Sequence, residues 1–136
     1  MEIKIETEVM NDVFTKHHLI GLKRSAVIHE FTGADKSIHN HPFNFTSFLI
    51  EGYYVERLFE IDSDGVVGSH LIPRVEGESH KVKAGTIHQI VEVSDGGCIT
   101  IIIPETKVQE PGFFKFENDT IYYRQWNETE FKPYKP

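Results

Sequence analysis

The sequence holds one cysteine, Cys98, so no intramolecular disulfide can form. Its neighbours, Cys98-Ile99-Thr100-Ile101-Ile102-Ile103, are apolar and offer nothing to lower a thiol pKa. The residue therefore reads as a small core side chain rather than a nucleophile. Long apolar runs are also missing, and none approaches the length needed to span a bilayer. The first residues, Met1-Glu2-Ile3-Lys4-Ile5-Glu6, alternate apolar and charged and lack the apolar stretch of a secretory signal, which leads us to expect a soluble, cytoplasmic protein. Positive charge is scarce: 14 Lys and Arg stand against 21 Asp and Glu, a net −7 with no basic block. That balance argues against nonspecific binding to nucleic acid or to an anionic membrane. Helical periodicity is nearly absent; only Met10 to Phe14 has the makings of a helical turn. Internal repeats, low-complexity stretches and linkers are lacking too. The 136 residues are expected to form a single barrel domain, long enough to bury a core without disulfides.

What is present is strand. Apolar, aromatic and β-branched segments recur at Ile3–Ile5, within Leu19–Phe31, and at Phe43–Ile50, Tyr53–Ile61, Val66–Ile72, His80–Lys83, Ile87–Val93, Ile99–Ile103, Phe113–Phe116 and Ile121–Trp126. Between them lie turn signals such as Asp62-Ser63-Asp64-Gly65 and Ser94-Asp95-Gly96-Gly97, whose glycines supply the positive φ angles of tight hairpins. Many short strands at regular spacing predict an all-β, antiparallel sandwich or barrel. The tail from 127 to 136, with two prolines and several charges, is expected to lie at the periphery or fray.

Eight histidines are many for this length. His39 and His41 are two apart, so on a strand they face the same way. With a third imidazole from a neighbouring strand they form a three-nitrogen cap that leaves positions open on a metal. His88 follows the turn Lys83-Ala84-Gly85-Thr86 and enters a strand. The other histidines have blander readings. His17-His18 and His70 are expected at the surface, His29 faces either way, and His80 lines the pocket or the surface. Phe43, Phe45, Phe48, Tyr53, Phe59, Phe113, Phe114 and Trp126 are expected mostly in the core. Tyr54 shares parity with Glu56 and is placed toward the site.

The spacing Gly33-x5-His39-x-His41-x10-Gly52, followed by Gly77-x5-Lys83-x-Gly85-x2-His88, resembles the two motifs of the cupin superfamily across 33–92. The stretches His39-Asn40-His41-Pro42-Phe43, Gly52-Tyr53-Tyr54-Val55-Glu56 and Tyr123-Arg124-Gln125-Trp126 are similar to those of small single-domain cupins of bacteria and their phages. The resemblance implies a double-stranded antiparallel jelly-roll barrel with one divalent transition metal, Fe, Mn, Ni, Zn or Cu, on His39, His41 and His88. It implies no particular reaction. The family's motif Pro is Lys83 here, its closing Asn is Glu92, and its Glu ligand falls at Phe45 or Thr46, neither of which can replace it. Two readings follow: Glu56 supplies the missing carboxylate, or solvent completes a three-histidine cap. If Glu56 faces inward without a partner, Glu56→Gln is expected to lower metal affinity roughly tenfold and to leave the metal-free fold unharmed. Metal affinity is expected to fall below about pH 6, where free imidazole protonates.

Two function classes fit these residues. One is an enzyme acting on a small molecule in the barrel, either through the metal or, as in sugar-nucleotide isomerases and epimerases, with His88 as base and Tyr54 as acid. The other is a binding module that holds a small ligand without turnover. A homodimer through an open sheet edge at Glu2–Glu6 is also expected.

Overall fold

The chain was analysed as a computed structural model, which describes residues 2–136. Among the described residues there is no helix, and thirteen strands run in order. They are β1 (Lys4–Val9), β2 (Phe14–Ile20), β3 (Ala26–Phe31), β4 (Ile38–His39), β5 (Phe45–Glu51), β6 (Tyr54–Ile61), β7 (Val67–Arg74), β8 (Ser79–Val82), β9 (Ile87–Val93), β10 (Cys98–Pro104), β11 (Gly112–Glu117), β12 (Thr120–Gln125) and β13 (Lys132–Pro133). One sheet has the order β1-β2-β3-β10-β5-β8 and the other β13-β12-β11-β4-β9-β6-β7. All pairings are antiparallel, and the two curled sheets are the halves of a jelly-roll barrel.

Strict alternation sets which side chains face inward. On β10, Cys98, Thr100 and Ile102 are buried and their odd-numbered partners less so; on β5 the same holds for Phe45, Ser47 and Leu49. Phe31, Leu49, Tyr54, Ile90 and Cys98 make one apolar cluster, with Phe14 and Val93 packed against it. Burial raises the Cys98 thiol to about 11, so it is an inert core side chain. Ser47, Glu56, His88 and Thr100 are buried as well and make part of the interior polar.

One local expectation changes. Met10 to Phe14 is not helical: the amides of Met10 and Asn11 both donate to the Phe14 carbonyl, and Asn11 Oδ1 accepts the Val13 amide, closing a hairpin loop. The strand that follows, β2, reads Phe-Thr-Lys-His-His-Leu-Ile. Both its faces are polar, so it carries no period-2 signal, and its pairing with β1 and β3 alone makes it a strand. The tail, for its part, is tied down. Its β13 pairs with β12, with Phe131 against Lys115 and Arg124 on one face and Tyr134 against Phe114 and Tyr123 on the other.

Candidate metal centre

β4 is two residues long but joins β9 to β11, and its register sets His39 directly opposite His88. Past β4 the chain leaves the sheet, so strand parity does not place His41. Side-chain and backbone hydrogen bonds do. Asn40 exchanges bonds with Gly112 through its amide and its Oδ1, the His41 amide donates to the Ala84 carbonyl, and Gln109 Nε2 donates to the carbonyls of both His41 and Ala84. Asn44 Oδ1 accepts the Ala84 amide, tying the His41 loop to the turn that feeds His88. In that turn Gly85 has no left-handed φ, and a Cβ there would meet nothing. The turn depends instead on the buried Ala84 and its three backbone bonds.

His39, His41 and His88 each offer a nitrogen, all within 4.8 Å of one another. The ring centroids of His88 lie 4.7 Å from those of His39 and of His41, and His39 and His41 are 5.4 Å apart. A transition metal at 2.0–2.2 Å from three nitrogens needs pairs about 3.0–3.4 Å apart. His39 Nε2 and His88 Nε2, at 3.2 Å, already meet that spacing, and the widest pair closes by small side-chain rotations.

The tautomers follow from the acceptors behind each ring. His88 Nδ1 lies 3.0 Å from Glu56 Oε1, an acceptor only, so Nδ1 carries a proton. His39 Nδ1 lies 3.3 Å from the Ser37 carbonyl, with the same consequence, and Asp35 Oδ2 is 4.0 Å away. His41 Nε2 is buried with no hydrogen-bond partner. Burial and then the charge of His88 push His39 down to about 3, and burial, His88 and His39 hold His41 well below its usual range. His39 and His41 are held neutral and turn nitrogens toward His88, and this three-nitrogen donor set fits a divalent transition metal.

Glu56 is inside, 3% exposed, but on the far side of His88 from the other two imidazoles. Its Oε1 takes the His88 proton, its Oε2 takes Arg74 Nε at 2.9 Å, and His80 Nε2 stands 3.9 Å off. Burial alone would raise this carboxyl; the hydrogen bonds and charges of His88 and Arg74 outweigh it and bring it to about 2. Glu56, expected as a fourth ligand, is thus bonded to His88 and Arg74, a position from which it orients the His88 ring. Where the motif Glu would fall, Phe45 is buried with its ring edge-on to His41, centroids 5.0 Å apart.

Tyr54 faces inward as its parity with Glu56 requires, but it sits in the apolar cluster at 5% exposure. Burial raises its hydroxyl far above the usual range, which ill suits a general acid. His29 is inward, edge-on to Phe14, and burial lowers it to about 3. His80 is inward beside Glu56, whereas His17 pairs with Glu30, His18 with Glu8, and His70 is exposed. Arg74, Asp35, Asn40 and Gln109 carry no spacing signal. Arg74 alone was traceable, since it shares an inward parity with Ile72 once β7 is paired to β6.

No family model matches the chain, and no curated protein matches it. Solved structures do. An oxalate decarboxylase of Bacillus subtilis with Mn(II) centres superposes with a TM-score of 0.57 at 15% identity, covering 77% of this chain and 28% of that one. CapF, solved with the inhibitor 3-isopropenyl-tropolone, superposes at 0.56 and 16% identity, covering 78% of this chain and 32% of that one. The chain therefore spans about a third or less of the length of these proteins. Both are cupins. With its two antiparallel jelly-roll sheets and their likeness to these structures, the chain has the cupin fold.

Proposed function

We propose that this protein binds one divalent transition metal through His39, His41 and His88 and uses it on a small molecule held in the barrel. The observation that carries the reading is the set of three converging nitrogens, two with protons committed elsewhere and one, His41 Nε2, buried without a partner. Bound there, the metal would supply Lewis acidity and open coordination positions. Mn(II) leads the candidates by analogy with the oxalate decarboxylase. The chain's own residues then have defined tasks. Glu56 holds the proton on His88 Nδ1 and keeps Nε2 free to ligate. Arg74 keeps Glu56 ionised and in place. Phe45 walls the cluster on the His41 side and excludes water. A metal-free acid–base pair of His88 and Tyr54 is disfavoured, because Tyr54 belongs to the apolar cluster and holds its proton tightly.

Elemental analysis of protein purified without an affinity tag tests the proposal. About one metal ion per chain is expected, lost in His88→Ala. If wild type neither carries metal nor takes up Mn(II), Fe(II), Ni(II), Cu(II) or Zn(II) in calorimetric titration, the proposal fails.

A further inference from the structure

The other sheet presents a second polar group to the interior. The register puts Lys16 on β2 opposite His29 on β3, and His29 opposite Thr100 on β10. Directly paired residues share a face, and this face is the inward one, because Thr100 is 2% exposed and the neighbouring pair Phe31 and Cys98 lies in the core. The three side chains therefore line one row across adjacent strands, each about 5 Å from the next.

None of the three has a polar partner among the described residues. Thr100 Oγ1 is buried and unbonded. Neither His29 nitrogen makes a hydrogen bond, its ring being held edge-on by Phe14 and Phe31. Lys16 Nζ forms no ion pair; its stem lies along Phe14, with Nζ 5.7 Å from the ring centroid. Glu8 stands opposite Lys16 in the β1–β2 register and its charge bears on Lys16, but its Oε1 accepts from His18 at 3.0 Å and it makes no ion pair with Lys16. Burying the Thr100 hydroxyl without a partner is costly, and an unsatisfied buried polar group beside a half-buried lysine and an inward, unbonded imidazole calls for a polar occupant. Ile90, on the same face of β9 as His88, packs in one cluster with Phe31 and Cys98, which share the face of His29 and Thr100, so the row and the histidine cluster face one interior.

We propose that Lys16, His29 and Thr100 form a carboxylate-binding subsite that holds the acid group of a small molecule whose other end reaches the His39–His41–His88 cluster. One ammonium balances one negative charge, and two flanking neutral donors fit the two oxygens of a planar carboxylate. A phosphate dianion would leave one charge uncompensated. The subsite names the ligand class for the barrel and rests on the metal reading only for the second contact.

Calorimetric titration with acetate, malonate and succinate, and with their neutral amides, tests this. At least one acid is expected to bind and its amide not to. Lys16→Met should weaken that acid tenfold or more and Lys16→Arg should restore most of it. Thr100→Val should weaken it several-fold while the melting temperature stays level or rises, since a buried unpaired hydroxyl has been replaced by a methyl of the same shape. Metal content should be unchanged in all three variants. Acids that fail to bind wild type up to about 10 mM, or that bind Lys16→Met and Thr100→Val as they bind wild type, overturn the subsite. The two readings separate cleanly: acid binding that survives in His88→Ala, but needs Lys16, upholds the subsite even if no metal binds, and metal uptake without acid binding does the reverse.

Discussion

Glu56→Gln removes one charge and one acceptor from the most connected side chain in the site. The carboxylate takes protons from two sides, His88 Nδ1 at 3.0 Å and Arg74 Nε at 2.9 Å. A glutamine has one acceptor oxygen and one amide group, so one neighbour must face a donor with a donor. If the amide turns to His88, that ring must present a lone pair at Nδ1 and a proton at Nε2, and it can no longer ligate in its present orientation. If it turns to Arg74, a partly buried guanidinium loses its counter-charge. The interactions holding Glu56 at about 2 rather than 4.5 amount to about 3.5 kcal/mol in favour of the ionised form. This stability is present above pH 4.5 and lost as pH falls toward 2. We therefore expect metal-free Glu56→Gln to lose about 2–3 kcal/mol at pH 7, measured by urea unfolding, and metal affinity to fall tenfold or more by calorimetry. An inward carboxylate without a partner would have left the metal-free fold unharmed; Arg74 reverses that sign. A double-mutant cycle with Arg74→Met should show coupling of more than about 1 kcal/mol. Equal metal affinity and equal stability in Glu56→Gln would refute the reasoning.

Other outcomes follow from the same geometry. His29 and His39 stay neutral to about pH 3 in the fold but take up protons near 6.5 when unfolded, so acid favours the unfolded chain. The metal-free protein should lose about 1.4 kcal/mol per pH unit for each of them between pH 6 and 4, and a melting temperature flat across that range would contradict it. Gly52 has φ +82, and a Cβ there would lie 2.5 Å from the Gly97 carbonyl oxygen and 2.6 Å from Ser94 Oγ, so Gly52→Ala should cost about 2–4 kcal/mol; a change under about 1 kcal/mol in urea unfolding would show that the hairpin yields. β1 ends its sheet with Ile3 and Ile5 exposed, at 53% and 62%, and we expect two copies to pair there at high micromolar concentration. Light scattering should report a dimer for wild type and a monomer for Ile5→Lys, whereas a monomeric wild type would exclude the pairing.

The sequence by itself determined the architecture and the three imidazoles. Alternation along Phe45–Glu51, Tyr54–Ile61, Ile87–Val93 and Cys98–Pro104 is a local signal, because burying one face of a strand imposes a period of two whatever the strand pairs with. The His-x-His and Gly-x2-His spacings are local in the same sense, and they singled out His39, His41 and His88. Tertiary structure alone decided what those imidazoles are. That Glu56 sits against His88 depends on Arg74, 18 residues away, pulling the other carboxylate oxygen. That His41 joins the cluster depends on Gln109, 68 residues on, grasping its carbonyl after the strand has ended. β2 was illegible for a related reason. Lys16 faces inward without being apolar, so no hydrophobic pattern marks the strand. Its meaning emerges only when Lys16, His29 and Thr100, drawn from three distant segments, fall into one row. Local periodicity records burial, whereas which polar group meets which across the barrel is set by register, and register belongs to the folded sheet.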